Sequence, residues 1–138
     1  MITRLLPLVL LLLAAAGAQG RDYPSKAIRI IVPLTPGSGA DIAGRIVAQK
    51  MNDAWKQPVV VENRPGAGGQ IGTSAVIKSD ADGYTLLVQS SSHAANSAIY
   101  RSLPYDPLKD LVDVAILGKT PYVMVSAGNG PYQDLKTF

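Results

Sequence analysis

The stretch Ala-Ile-Arg-Ile-Ile-Val at positions 27–32 decides the fold, together with the Pro/Gly-rich loop from Pro33 to Gly39 that follows it. A β-branched run of this length that ends at a proline is typical of a buried strand. After the loop, apolar residues recur at helical spacing from Asp41 to about Trp55, at Ile42, Ile46, Val47 and Met51. A buried strand followed by an amphipathic helix predicts the first half of a β-α-β unit.

The same alternation of strands and helices continues along the chain. Further strands are predicted at Val59 to Val61, Thr85 to Val88, Val112 to Leu117 and Tyr122 to Ser126. Short helices are expected around Ile71 to Ile77, from Ala94 to Tyr100 and from Pro131 to the end at Phe138. Strands that alternate with helices at this spacing predict an α/β fold with a mainly parallel sheet covered on both faces.

The first 18 residues differ from the rest of the chain. Arg4 supplies a positive charge, Leu5 to Leu13 form an apolar run, and small residues follow, with Ala16 and Ala18 offering a cleavage site. This order predicts a secretory signal peptide at residues 1–18 and a mature, exported protein at residues 19–138. The alternative is a membrane anchor, but the apolar run is shorter than the roughly 20 residues that a bilayer span requires.

Composition excludes several classes of function. The 138 residues carry a net charge of only +3, and no run of basic residues indicates a nucleic-acid partner. Cysteine is absent, so disulfides, thiolate catalysis and Cys zinc sites are excluded.

Three strand-to-helix loops are rich in glycine and small polar residues: 35–41, 64–72 and 90–96. In open α/β sheets such loops meet at the carboxyl ends of the strands, where ligands bind. Free N–H groups at helix N-termini and serine hydroxyls make carboxylate or phosphate cradles. The alternative is that these residues only serve tight turns and helix caps.

Nucleotide binding and catalysis lack support in the sequence. Gly66 and Gly68 begin a dinucleotide fingerprint, but the required third glycine is replaced by Ile71. His93 is the only histidine, so no multi-histidine metal site is expected, and we predict no cofactor. A hydrolase that uses Ser91, His93 and Asp41 remains an alternative, although no nucleophile motif surrounds the serines.

Two charged side chains have structural interpretations of their own. Asp41 favours the helix dipole and has Arg45 four residues later as an ion-pair partner. Arg64 either pairs with Glu62 or reaches toward an acid group of the ligand.

Five motifs occur in order: Tyr23 to Lys26, Pro36 to Asp41, Gln57 to Gly72, Asp82 to Leu86 and Leu103 to Pro107. Together they resemble the substrate-binding proteins of the tripartite tricarboxylate transporters, the TctC or Bug receptor family. The resemblance implies a periplasmic type II solute-binding fold of two α/β domains, of which this chain supplies the first part of domain 1. It also implies a receptor, not an enzyme, that captures a di- or tricarboxylate, an acidic amino acid or an aromatic acid for a membrane permease.

The resemblance also implies which residues hold the ligand. The loops after the first and third strands would bind a carboxylate at Gly37, Ser38, Gly39, Ala40 and Asp41, and at Ser91, Ser92, His93 and Asn96. Ser38 and Ala40 depart from the family pattern, and so does Lys56, where a helix-ending glycine is usual. Family members are roughly twice this length. Docking of the loaded receptor on a sensor kinase, and a truncated fragment without function, are the alternatives.

Overall fold

The computed structural model describes residues 23–121, 123–127, 129–131, 134 and 136. The signal peptide predicted at residues 1–18 lies outside the described residues, and so does most of the helix predicted from Pro131. In chain order the elements are β1 (Ile28–Val32), α1 (Gly39–Trp55), β2 (Val59–Asn63), a 3-10 turn (Ala67–Gly69), α2 (Gln70–Ile77), β3 (Thr85–Leu87) and α3 (Ser92–Ile99).

The described strands form one parallel sheet in the order β2-β1-β3. Strand β1 lies in the centre, and Ile30 pairs with Val61 on one side and with Leu86 on the other. Four residues of β1, namely Ile28, Ile30, Ile31 and Val32, are at most 1% exposed. Apart from the exposed Arg29, the strand is apolar and buried, as a central strand of a parallel sheet requires, and the predicted α/β class with a parallel sheet is confirmed.

Helix α1 packs along one face of this sheet. Ala48 is buried in a cluster with Ile30 and Val32. A Cβ added at Gly44 would lie 3.4 Å from the Val32 side chain, so this glycine brings the helix backbone close to the sheet. Close packing of an amphipathic helix on a parallel strand supplies the hydrophobic stabilisation of the unit.

Helix α2 packs even more closely against the loop that follows β1. A Cβ at Gly72 would stand 2.7 Å from Pro33 Cβ and 2.8 Å from the Arg64 carbonyl oxygen, distances that no side chain tolerates. Gly69, one turn earlier, has a φ of +93° that favours glycine. The glycine-rich stretch therefore lets the start of α2 approach the ends of β1 and β2.

An aromatic cluster closes the opposite edge of the sheet, at the amino ends of the strands. Tyr23 donates to the Gly83 carbonyl at 2.7 Å, and its ring lies 5.9 Å from Trp55 and 5.0 Å from Tyr84. Lys26 sits 4.4 Å above the Tyr84 ring and pairs with Asp82 at 2.9 Å. Trp55 thus has a packing role at the far end from the predicted ligand loops.

Two strand predictions are wrong within the described residues. The segments 112–117 and 123–126 carry no strand, while Tyr122 lies outside the description. Val112, Val114 and Val125 are between 86% and 89% exposed. β-branched residues favour an extended backbone, but a strand also needs a neighbouring strand to accept its hydrogen bonds, and no described strand lies beside these segments.

Other boundaries move by one or two residues. Helix α3 begins at Ser92, not at Ala94, and β2 continues to Asn63. No helix in the described part of the chain has the length and apolarity that a membrane crossing requires.

Candidate ligand-binding site

The strand order creates a crevice at the carboxyl edge of the sheet. The chain passes from β1 to β2 on one side and then returns to β3 on the other side of β1. The loops that leave β1 and β3 therefore diverge, and the Val88 N–H still donates to the Ile31 carbonyl at 3.0 Å where they begin to separate. In open α/β sheets this switch point is where ligands bind. The two loops of the predicted site flank it.

The loop after β1 presents two unused amide groups. Gly37 N–H donates to the Asp41 carboxylate at 2.8 Å, and Ser38 N–H donates to the Thr35 carbonyl at 3.2 Å. Ser38 caps α1, since its hydroxyl accepts from Asp41 N–H at 3.3 Å. Among the described residues, the N–H groups of Gly39 and Ala40 have no partner. These two consecutive donors are free to bind an anion at the helix N-terminus.

Asp41 itself is occupied by contacts within the chain. Its side chain is 4% exposed and lies 3.0 Å from Arg45, so the ion pair predicted from the sequence is confirmed. Asn63 Nδ2 donates to the same oxygen, Oδ1, at 2.9 Å, while Oδ2 accepts from Gly37 N–H and Arg45 Nε. Hydrogen bonds from Arg45, then from Gly37 N–H and Asn63, lower the pKa of Asp41 from 3.8 to about 2. The carboxylate is therefore charged and has no free oxygen to offer a ligand or a catalytic histidine.

Asn63 joins this network from the end of β2, and sequence reasoning missed it. Its Nδ2 also donates to the Leu34 carbonyl at 3.1 Å, while its Oδ1 accepts from Arg45 at 2.9 Å. Asn63 thereby ties the loop after β1 to the neighbouring strand. The one available signal was its position, as an uncharged polar residue two positions after the apolar run Val59 to Val61.

The loop after β3 is held by its own serines. The hydroxyls of Ser90 and Ser92 lie 2.8 Å apart, and His93 N–H donates to the Ser90 carbonyl at 3.1 Å. Ser91 N–H has no partner among the described residues. Gln89, which sequence reasoning also missed, accepts from Ser90 N–H at 2.9 Å and fixes the start of this loop.

Asn96 and His93 face the interior. Asn96 is 3% exposed and its Nδ2 donates to the Gly68 carbonyl at 2.9 Å, which fastens α3 to the glycine-rich turn. The His93 ring stacks on Tyr105 with centroids 6.0 Å apart and an angle of 5° between the rings. Because Asp41 bonds to Arg45 and Asn63, the arrangement of Ser91, His93 and Asp41 that a hydrolase would need is not assembled.

Arg64 forms an ion pair with Glu62 at 2.6 Å. Of the two interpretations open for this side chain, the structure shows the contact with Glu62.

A parallel α/β unit with free amides at its switch point defines a class of small-molecule binding domains. The sequence model described as the tripartite tricarboxylate transporter family receptor matches residues 43–138, and the chain belongs to this family. The family resemblance and the fold class are thereby confirmed. The family is one of solute-binding receptors, not of enzymes, and two solved proteins that this chain resembles are described as a periplasmic transporter and as the periplasmic binding protein BugD.

Individual relatives agree with this assignment. Protein BugT of Bordetella pertussis is 45% identical over 130 residues, which make up 90% of this chain and 40% of BugT. R. palustris Rpa4515, solved with adipate, is 36% identical with a TM-score of 0.61 over 63% of this chain and 29% of its own. MatC from Rhodopseudomonas palustris, solved with malate, is 30% identical with a TM-score of 0.58 over 64% and 30%. The chain thus spans less than half the length of these relatives.

Proposed function

We propose that this chain is part of a periplasmic receptor that captures a small di- or tricarboxylate for the permease of a tripartite transporter. The observation that carries the proposal is the pair of N–H groups of Gly39 and Ala40 at the switch point of the sheet, which have no partner in the part of the chain that the structure describes. A helix N-terminus with free amides favours an anion, and the dipole adds to the attraction. Adipate and malate, the ligands named for two solved relatives, are both dicarboxylates.

The residues of the two loops take different roles in this proposal. Gly39 and Ala40 hold one carboxylate of the ligand through their N–H groups, and Ser91 and Ser92 complete its hydrogen bonds from the other side of the crevice. Gly37, Ser38 and Asp41 shape the first loop, while His93 and Asn96 hold the second loop in place.

Family membership also supports export of the chain and a permease as its partner. The signal peptide proposed at residues 1–18 is removed on export, and N-terminal sequencing of the periplasmic form would give a chain that starts at Gln19. The family description names a transporter receptor, which favours delivery to a permease over docking on a sensor kinase.

Calorimetric titration tests the proposed ligand class. We expect the complete receptor chain to bind adipate, malate or citrate, and not adipamide, which matches adipate in shape but carries no charge. Binding of adipamide with no response to any of the acids would contradict the proposal.

A substitution at Gly39 tests the proposed donors. Gly39→Pro removes one N–H at the first helical position, where proline is tolerated, and Ser38 already has the extended conformation (φ −67°, ψ 159°) that precedes a proline. Loss of a hydrogen bond to a charged group should weaken adipate binding by roughly 10- to 100-fold. Gly39→Ala is the matched control, because it keeps the N–H and its Cβ meets nothing closer than Thr120 at 3.9 Å.

A further inference from the structure

A negative charge lies next to the proposed anion site. Asp41 follows Gly39 and Ala40 directly, and its carboxylate turns back onto the same loop to accept from Gly37 N–H at 2.8 Å. An uncompensated carboxylate at this position would repel the carboxylate of a ligand, and a buried position would strengthen that repulsion. The proposed function therefore requires that this charge be neutralised.

The Arg45 side chain, from outside the loop, meets this requirement, and the Asn63 amide supports it with further hydrogen bonds. Arg45, one helical turn later in α1, contacts both oxygens of Asp41, with its Nε 3.1 Å from Oδ2 and its terminal nitrogen 3.0 Å from Oδ1. Such a two-point contact of a guanidinium on a carboxylate is the strong form of this ion pair. Asn63 adds a third donor from β2 and bonds to Arg45 as well.

We propose that Arg45 and Asn63 are positioning residues for ligand capture: Arg45 cancels the charge of Asp41, and both residues hold the loop after β1 so that the amides of Gly39 and Ala40 point into the crevice. The inference rests on the proposed function. Neither residue touches the ligand. Arg45 acts through charge, while Asn63 acts by linking Asp41 and the Leu34 carbonyl to the end of the neighbouring strand.

The two contributions predict different results for different substitutions. Arg45→Met leaves Asp41 charged and uncompensated, so adipate binding should weaken by at least about tenfold. Arg45→Lys keeps the positive charge and should retain most of the affinity. In the double variant Asp41→Asn/Arg45→Met the repulsive charge is gone as well, so affinity should recover to well above that of Arg45→Met. Asn63→Ala should also weaken adipate binding, because it loosens the loop. Adding Asp41→Asn to this variant should not restore the affinity.

Lys50→Met is the matched control for net charge. Lys50 is exposed on the same helix, and its replacement removes the same charge at a position away from Asp41. We expect adipate affinity within about twofold of the wild type, because an exposed charge at this distance is screened by salt.

Titration with adipate in the complete chain, with thermal unfolding of each variant as a folding control, decides between the outcomes. If the wild type binds no carboxylate, the proposed function fails. If the wild type binds and Arg45→Met binds equally well, the positioning role is wrong while the proposed function stands. If the double variant is as weak as Arg45→Met, Arg45 is only structural and the neutralisation is overturned.

Discussion

At the scale of single residues, Asp41 combines a task predicted from the sequence with a second one that the structure adds. As an acid in the first turn of α1 it stabilises the positive end of the helix, and as an acceptor for Gly37 N–H it closes the loop before the helix. Both tasks depend on the charged form of the carboxyl group. Their contribution to stability must therefore vary with pH.

The direction follows from the pKa of Asp41, which lies at about 2 in the folded chain and thus below its ordinary value of 3.8. A lowered pKa stabilises the folded state fully above the unfolded value and loses this effect as the pH falls through the folded value. We expect Asp41→Asn to lower the melting temperature at pH 7, with the difference from wild type shrinking between about pH 4 and pH 2. Thermal unfolding followed by circular dichroism measures both.

Asp53→Asn is the control for this series. Asp53 is exposed on the same helix and makes no contact that the structure describes, so its replacement should leave the melting temperature nearly unchanged across the range. A constant difference between wild type and Asp41→Asn down to pH 2 would mean that the carboxylate is not held as described.

The network around Asp41 contains one contact that can be predicted from the sequence and one that cannot. The pair with Arg45 was predictable because residues four apart lie side by side on any helix. Asn63 is 22 residues away from Asp41 along the chain. Its contact depends on how β2 aligns with β1, which no local pattern encodes.

At the scale of elements, helix α1 ends at a lysine whose backbone conformation favours glycine. Lys56 adopts the left-handed conformation (φ 55°, ψ 24°), and its N–H closes the helix on the Asn52 carbonyl. The sequence predicts that the helix ends here, although lysine stands where a helix-ending glycine is usual. The structure places lysine in the conformation that glycine would adopt without steric cost.

Lys56→Gly should therefore stabilise the protein by about 1 kcal/mol, because it relieves the contact between Cβ and the backbone in this conformation. Lys50→Gly, six residues earlier inside the same helix, should destabilise it by about 1 kcal/mol. Urea denaturation gives both free energies of unfolding. Two shifts of the same sign would show that Lys56 does not hold the left-handed conformation.

Elements differ in how much of their formation is local. Helices α1 and α2 form where the apolar spacing predicted them, since their hydrogen bonds are internal to the segment. Strands depend on partners, and the apolar residues of β1, interrupted only by Arg29, indicated a buried strand. The segment 112–117 is similarly apolar, but a segment forms a strand only where another strand lies beside it. Its composition alone therefore predicted a strand that the structure does not contain.

At the scale of the whole molecule, the alternation of elements predicted a parallel sheet but not the order β2-β1-β3. That order decides where the crevice lies, because it separates the loops after β1 and β3. The candidate site thus combines local features, which the sequence shows as glycine-rich and serine-rich loops, with a topology that only the structure supplies.

Several large apolar side chains between residues 112 and 125 are exposed on the surface of the described chain. Val112, Val114, Ile116, Val123 and Val125 are each at least 85% exposed, in a part of the chain where the described residues form no helix or strand. Clustered apolar side chains that stay exposed favour association with other chains. We expect the 138-residue chain to self-associate in dilute buffer. Its mean mass, measured by light scattering, should increase as the protein concentration is raised to about 100 µM.

Charged substitutions in this segment test the cause of that association. Val114→Lys combined with Ile116→Lys should shift the mass toward the monomer, because two positive charges interrupt the exposed apolar stretch and repel those of a second copy. Ile99→Lys is the matched control: Ile99 is 69% exposed but stands alone on α3, so its replacement should leave the association unchanged. A wild-type chain that stays monomeric over the whole concentration range would contradict this expectation. These apolar side chains would then be covered by contacts within their own chain.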